Sequence, residues 1–228
     1  MQTLFLQALN IAAFLLWAVE RSCATLALFG LEDVVLIDIL SKLRGKAEVP
    51  VFTIDTGRLH QETYNAMDAV RERYGIPIEI YFPGTDEVER MVRDNGVNLF
   101  YHSPDLRILC CHVRKVNPLS RALSTRDAWI TGLRRDQANS RRSIRKVELD
   151  NLNQKLVKVN PLADWTGEQV REYITENNVP YNVLFDQGYA SVGCATCTRP
   201  VKPGEDPRAG RWWWLKEGAK ECGFHCKF

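Results

Sequence analysis

From about residue 25 onward, short apolar runs alternate with amphipathic stretches of ten to fourteen residues, the pattern of strands exchanging with helices. The runs at 24 to 29, 51 to 54, 78 to 82 and 128 to 131 predict strands. The stretches at 33 to 44, 61 to 74 and 85 to 95 predict helices, the first two stopped by Gly45 and Gly75. A later helix is expected over 166 to 177, where Thr166 and Gln169 have the spacing of a capping box. Strands separated by helices require right-handed crossovers, so the expected fold is α/β, with a mainly parallel sheet covered by helices on both faces.

In such a sheet the ligand lies beyond the carboxyl ends of the strands. Three loops fall there, at 30 to 33, 55 to 58 and 132 to 142, which makes Gly30, Thr56, Gly57 and Gly132 candidate substrate-binding positions. Beyond Asn178 the chain turns rich in Gly, Pro, Cys and charge, with no internal repeat and no low-complexity linker. One domain over 1–228 is expected, with a nucleotide-binding core over about 25–178 and a cysteine-rich C-terminal segment over about 179–228.

The apolar stretch at 4 to 19 is interrupted by Asn10, is preceded by no basic segment and is short for a membrane span. It reads as a buried or amphipathic helix. The residues from Arg21 to Ala24 make a poor signal-cleavage site, which leaves secretion a minor reading and the cytoplasm the expected location.

Thirty basic and twenty-eight acidic side chains leave a formal charge of +2, too little for a general polyanion binder. The basic residues cluster at 134 to 146 and at 202 to 220. Of seven cysteines, six fall into three groups: Cys110 with Cys111, Cys194 with Cys197, and Cys222 with Cys226. Cys23 stands alone in an apolar run and reads as a core residue. Cytosolic thiols are kept reduced, so grouped cysteines there bind metal or do chemistry. Cys110, Cys111, Cys194 and Cys197 supply four soft ligands from two distant segments, suited to zinc or to an iron-sulfur cluster. The adjacent pair favours the cluster, because two neighbouring sulfurs strain to reach one small ion whereas a cubane offers each its own iron.

Several motifs occur in unbroken order between Gly30 and His225. They are Ile54-Asp55-Thr56-Gly57-Arg58-Leu59-His60, Cys110-Cys111-His112-Val113-Arg114-Lys115-Val116-Asn117-Pro118-Leu119, and Trp129-Ile130-Thr131-Gly132-Leu133-Arg134-Arg135-Asp136-Gln137. Asn160-Pro161-Leu162-Ala163-Asp164-Trp165, Arg208-Ala209-Gly210-Arg211-Trp212-Trp213-Trp214 and Lys220-Glu221-Cys222-Gly223-Phe224-His225 follow. In these the chain resembles the assimilatory adenylyl sulfate reductases of the phosphoadenylyl/adenylyl sulfate reductase family.

The resemblance implies a Rossmann-like fold of the adenine nucleotide alpha hydrolase kind. It implies reduction of adenylyl sulfate to sulfite and AMP, with electrons from thioredoxin or a similar dithiol protein. It also implies one 4Fe-4S cluster on Cys110, Cys111, Cys194 and Cys197, and Cys222 as the nucleophile that takes up the sulfonate. Lys115, Arg142, Arg208, Arg211 and His225 become candidate ligands of the phosphosulfate, Arg141 competing with Arg142 because the local alignment slips by one. Lys115 follows Cys111 by four residues, about one helical turn, which would set its ammonium between cluster and substrate. No nucleic acid or membrane partner is expected, and a homo-oligomer is left open.

The chain departs from the family at Ala27-Leu28-Phe29-Gly30-Leu31-Glu32-Asp33, where relatives carry serines before the glycine. Phe185 and Thr196 replace His and Pro, and Cys226 is an additional thiol, either inert or able to attack the Cys222 adduct. The three tryptophans from Trp212 are expected to pack the tail onto the body. Three alternatives stay open: a reductase of 3'-phosphoadenylyl sulfate, a zinc-stapled nucleic-acid-binding module, and a relative whose altered loop no longer holds substrate.

Overall fold

A computed structural model describes residues 11, 23–26, 29–43, 49–153 and 156–215. Of the apolar stretch at 4 to 19 only Ile11 is described, helical and buried. Six strands form one sheet: β1 (Cys23–Leu26), β2 (Val51–Ile54), β3 (Ile78–Tyr81), β4 (Ala128–Ile130), β5 (Val147–Asp150) and β6 (Leu156–Val159), in the order β3-β2-β1-β4-β6-β5. All pairings are parallel except that of β5 with β6, so the mainly parallel sheet carries one antiparallel edge. The order reverses at β1, which lies between β2 and β4, and a crevice opens at such a switch point.

Between the strands run α1 (Leu31–Lys42), α2 (Gln61–Tyr74), α3 (Thr85–Asn95), α4 (Pro104–Cys111) and α5 (Asn117–Leu123), and α6 (Gly167–Asn177) follows β6. Helix α1 starts two residues earlier than its periodicity predicts. Its N-cap is Gly30, whose amide donates to Asp33 Oδ2 at 3.0 Å, so the carboxylate closes the first turn. The capping box at α6 forms as expected: Gln169 N–H donates to Thr166 Oγ1 at 3.2 Å, and Thr166 N–H donates to Gln169 Oε1 at 2.8 Å.

Side chains alternate across the sheet and build a core on each face. On one side Ala128 and Ile130 of β4 join Val34 and Ile37 of α1, Val70 of α2, and Val170 and Ile174 of α6. On the other, Trp129 joins Phe52, Ile54, Leu119 and Leu123. Trp129 is fully buried and satisfies its one polar atom by donating to Asp150 Oδ2 at 3.1 Å. A third cluster ties the C-terminal segment to the body, joining Met91, Leu99, Phe100 and Trp212 to Cys110, Cys111, Cys194 and Cys197. Packing of the tryptophan run holds for Trp212, which is fully buried between the guanidinium groups of Arg107 and Arg211, while Trp213 is 40% exposed. Among the described residues no helix is long and apolar enough to cross a membrane.

Candidate active site

A cavity of about 440 Å³, within the usual size range of small-molecule sites, opens at the carboxyl ends of the central strands. The loops after β1, β2 and β4 bring Gly30, Thr56 and Gly132 to it, as expected of the switch point. Gly132 sits where a side chain does not fit: a Cβ there would lie 2.5 Å from Asp33 Oδ1 and 2.7 Å from Glu32 Cβ. Gly57 does not line the cavity. It makes the turn beside it at φ +69, with its amide donating to Asp55 Oδ1 at 2.7 Å.

The cations arrive from three separate segments. Lys115, 5% exposed, projects from a π-helical turn (His112–Val116) inserted between α4 and α5, not from the regular helical turn its spacing predicts. Such insertions recur at functional sites because they re-aim side chains. Arg208 and Arg211 come from the C-terminal segment. Arg211 is 5% exposed, donates from one terminal nitrogen to Ser191 Oγ and to the Val192 carbonyl, both at 3.1 Å, and stacks on the Trp212 ring at 4.7 Å. Arg141 lines the cavity and donates to Gln137 Oε1 at 2.6 Å, whereas Arg142 is exposed and lies outside it. Cys222, His225 and Cys226 lie outside the described residues.

Some of the cavity's chemistry was not singled out by sequence reasoning. Glu32 pairs with Arg134 at 2.7 Å across its floor, Arg134 also pairs with Asp136, and all three line it. The signal was the acidic pair at the N-terminus of α1, which the capping geometry accounts for. The altered first loop leaves Phe29 fully buried at φ +56, a left-handed conformation costing about 1 to 2 kcal/mol in a residue with a Cβ. Phe185 also lines the cavity, while Thr196 is turned away and accepts the Tyr101 hydroxyl proton through its carbonyl at 2.9 Å.

Behind the cavity lie Cys110, Cys111 and Cys197, and in its wall Cys194, all buried and none joined in a disulfide among the described residues. Burial pushes Cys110 up to about 11, with negative charge on Cys194 adding to it, and burial likewise raises Cys197. For Cys194, burial acts in the same direction but is outweighed by Lys115, by the Thr56 hydroxyl 3.3 Å away, and by Arg211 and Arg114, so its thiol is held low.

The expectation that these four cysteines hold one 4Fe-4S cluster is corrected by this geometry. Among the described residues no group of three or more His, Cys, Asp or Glu side chains is arranged to hold a metal ion. The four thiols border one small space, together with Arg58, Phe100, Arg107, Arg114, Lys115 and Thr196. The zinc staple of the alternative reading loses its ligand set on the same grounds.

Comparison with known proteins adds three findings. Residues 22–200 match the family described as the phosphoadenosine phosphosulfate reductase domain. The adenosine 5'-phosphosulfate reductases of Burkholderia cepacia and Allochromatium vinosum are 49% and 46% identical over 195 and 196 residues, covering 85% and 86% of this chain and 76% and 75% of theirs. Among solved structures, the phosphoadenylyl-sulfate reductase of Candida auris in its phosphate complex superposes with a TM-score of 0.69 at 33% identity, over 81% of this chain and 88% of that one. An FMN adenylyltransferase of Candida glabrata shares the fold alone, at 14% identity and a TM-score of 0.63, over 93% and 73% of the two chains.

Proposed function

The chain belongs to the phosphoadenosine phosphosulfate reductase domain family, and on that premise we propose that it reduces adenylyl sulfate to sulfite and AMP with electrons from thioredoxin, a step of sulfate assimilation. The observation that carries this reading is the convergence of Lys115, Arg141, Arg208 and Arg211 on one cavity at the switch point of the sheet. A phosphosulfate is an anion at both sulfur and phosphorus, and charged donors in a partly dry pocket bind it far better than surface charges do. Lys115, Arg208 and Arg211 hold its oxygens, and Gly30, Thr56 and Gly132 supply the close backbone approach of the loops. Arg141 takes the place that the resemblance gave to Arg142. His225 acts beside the nucleophile.

Cys222 does the chemistry. Its thiolate attacks the sulfate sulfur, the bond from that sulfur to the phosphate-bridging oxygen breaks, and AMP leaves with the bonding pair, giving a cysteine S-sulfonate. A thioredoxin thiolate then attacks the Cys222 sulfur and expels sulfite, and its second thiol resolves the mixed disulfide. Sulfur gains the two electrons that thioredoxin loses. The core over about 25–178 and the segment over about 179–228 work as one domain, the first supplying the nucleotide crevice and the second Arg208, Arg211 and Cys222. The cytoplasm, where thiols are kept reduced, suits this exchange.

Incubation with adenylyl sulfate in the absence of thioredoxin tests the scheme. One SO3 adduct is expected on the peptide containing Cys222, released as sulfite when reduced thioredoxin is added and absent from the Cys222→Ser protein. Sulfite release by Cys222→Ser, or faster turnover of the 3'-phosphorylated nucleotide than of adenylyl sulfate, would overturn it.

A further inference from the structure

Arg114 is 9% exposed, and among the described residues it makes no ion pair with a carboxylate. A buried charge without a counter-charge costs stability, so its contacts show what that cost supports. Its Nη1 donates to the Thr56 carbonyl at 2.7 Å, across 58 positions of sequence, while its Nε has no hydrogen-bond partner among the described residues. The same Nη1 packs on Gly57, where a Cβ would lie 3.4 Å from it.

This contact joins two parts of the substrate cavity that arrive separately. Thr56 lines the cavity from the loop after β2, and Lys115 lines it from the π-helical turn His112–Val116. Consecutive residues of a helical turn point about 100° apart, so Arg114 reaches the loop while Lys115 enters the cavity. The loop has a further brace, because the Arg58 carbonyl accepts from the Ala195 amide at 2.8 Å and Arg58 N–H donates to Thr56 Oγ1 at 3.2 Å. It is thus tied both to the cysteine turn that bridges to Arg211 and to the turn that carries Lys115.

We propose that Arg114 is a positioning residue of the phosphosulfate site, its guanidinium fixing the spacing between the Thr56 loop and the Lys115 ammonium. The inference rests on the assignment of Lys115 to the phosphosulfate. Arg114 does not itself line the cavity, so it acts through the two residues that do. A bound anion gains from both groups only where they meet it together, and a fixed spacing secures that. The π-helical turn serves the same end, since it lets one short segment bond the loop and aim a cation into the cavity from neighbouring positions.

Binding of adenylyl sulfate to the full chain carrying Cys222→Ser tests this, because no S-sulfonate forms and calorimetry reads the dissociation constant directly. Arg114→Met, which removes donor and charge, is expected to weaken binding about tenfold or more. Arg114→Lys keeps one donor for one carbonyl and is expected to bind within about threefold of the parent. In a Lys115→Met background Arg114→Met is expected to cost less than about threefold, since a spacing between two groups matters only while both are present. Circular dichroism and the thermal midpoint check folding, and Arg114→Gln, too short to reach Thr56, replaces the methionine variant if that chain does not fold. Parental affinity in a folded Arg114→Met or Arg114→Gln protein overturns the proposal. So does an Arg114→Lys protein that binds as weakly as Arg114→Met, or an equal loss in both backgrounds, because Arg114 would then act apart from Lys115. Parental affinity in Lys115→Met alone removes Lys115 from the phosphosulfate site and the inference with it.

Discussion

Replacing Arg211 by alanine separates two roles that one side chain plays. Its guanidinium braces the chain at Ser191 and Val192 through two bonds of 3.1 Å, stacks on Trp212, and faces the cavity. Hydrogen bonds to a charged donor contribute about 1.5 to 3 kcal/mol each, and relaxation of the acceptors toward solvent recovers part of that, so the fold should lose about 2 to 4 kcal/mol. For a chain of this size that lowers the thermal midpoint by about 4 to 16 °C. Losing one charged contact to the phosphosulfate should separately lower kcat/KM by about 10- to 150-fold. Arg211→Lys keeps the charge but not the fork, and a single ammonium does not brace both acceptors and reach the substrate. It should stand between the two proteins in both measurements. The assays are steady-state sulfite release with saturating thioredoxin and thermal unfolding. A fall in midpoint with kcat/KM unchanged would refute the substrate role and leave Arg211 a strut.

Arg141→Ala should lower kcat/KM by about tenfold, the worth of a partly exposed charge contact, while Arg142→Ala should leave it unchanged; the reverse result would restore the one-residue shift that the resemblance allowed. Tyr64 donates to Asp55 Oδ1 at 3.0 Å, and burial, with Asp55 beside it, raises its hydroxyl to about 12. A group raised in the folded state contributes stability that is intact below its unfolded value near 10 and is lost as pH rises through about 12. Thermal unfolding across that window should show the loss in the wild type and less of it in Tyr64→Phe.

The elements that the apolar pattern located best are those whose period nothing disturbs. Helices α2 and α3 and strand β2 end where the sequence predicts, because each has an unbroken apolar stripe or run and, for the helices, a glycine just beyond. The stretch from α4 through α5 was not legible as helix, since the π-helical turn at His112–Val116 adds a residue to one turn and shifts the phase of every apolar position after it. Strand β5 was missed because its acids face inward and its apolar residues outward, the opposite of what alternation is taken to mean. Convergence of the four cysteines was readable from their grouping. Their burial, which raises Cys110 and Cys197, depends on packing, which spacing does not encode.

Those thiols still bear on the substrate site, through the backbone that carries them. Lys115 and Cys194 line both the substrate cavity and the small space among the sulfurs, so the two share a wall. The turn over 194 to 197 is pinned to the loop after β2 by the Ala195 amide, which donates to the Arg58 carbonyl at 2.8 Å. The same turn fixes the last cationic segment: Trp212 N–H donates to the Cys197 carbonyl at 3.1 Å, Arg199 N–H donates to the Gly210 carbonyl at 3.0 Å, and Thr198 bridges Arg211. Arg211 is thus indexed to Cys197 by backbone bonds on both sides of it, and Thr56 is indexed to Cys194 by contact with its sulfur. A substitution that expands this turn must move an arginine and a threonine of the cavity together. The cysteine segment therefore acts on substrate binding as a frame, setting the distance between the loop that approaches the nucleotide and the cation that meets its charge.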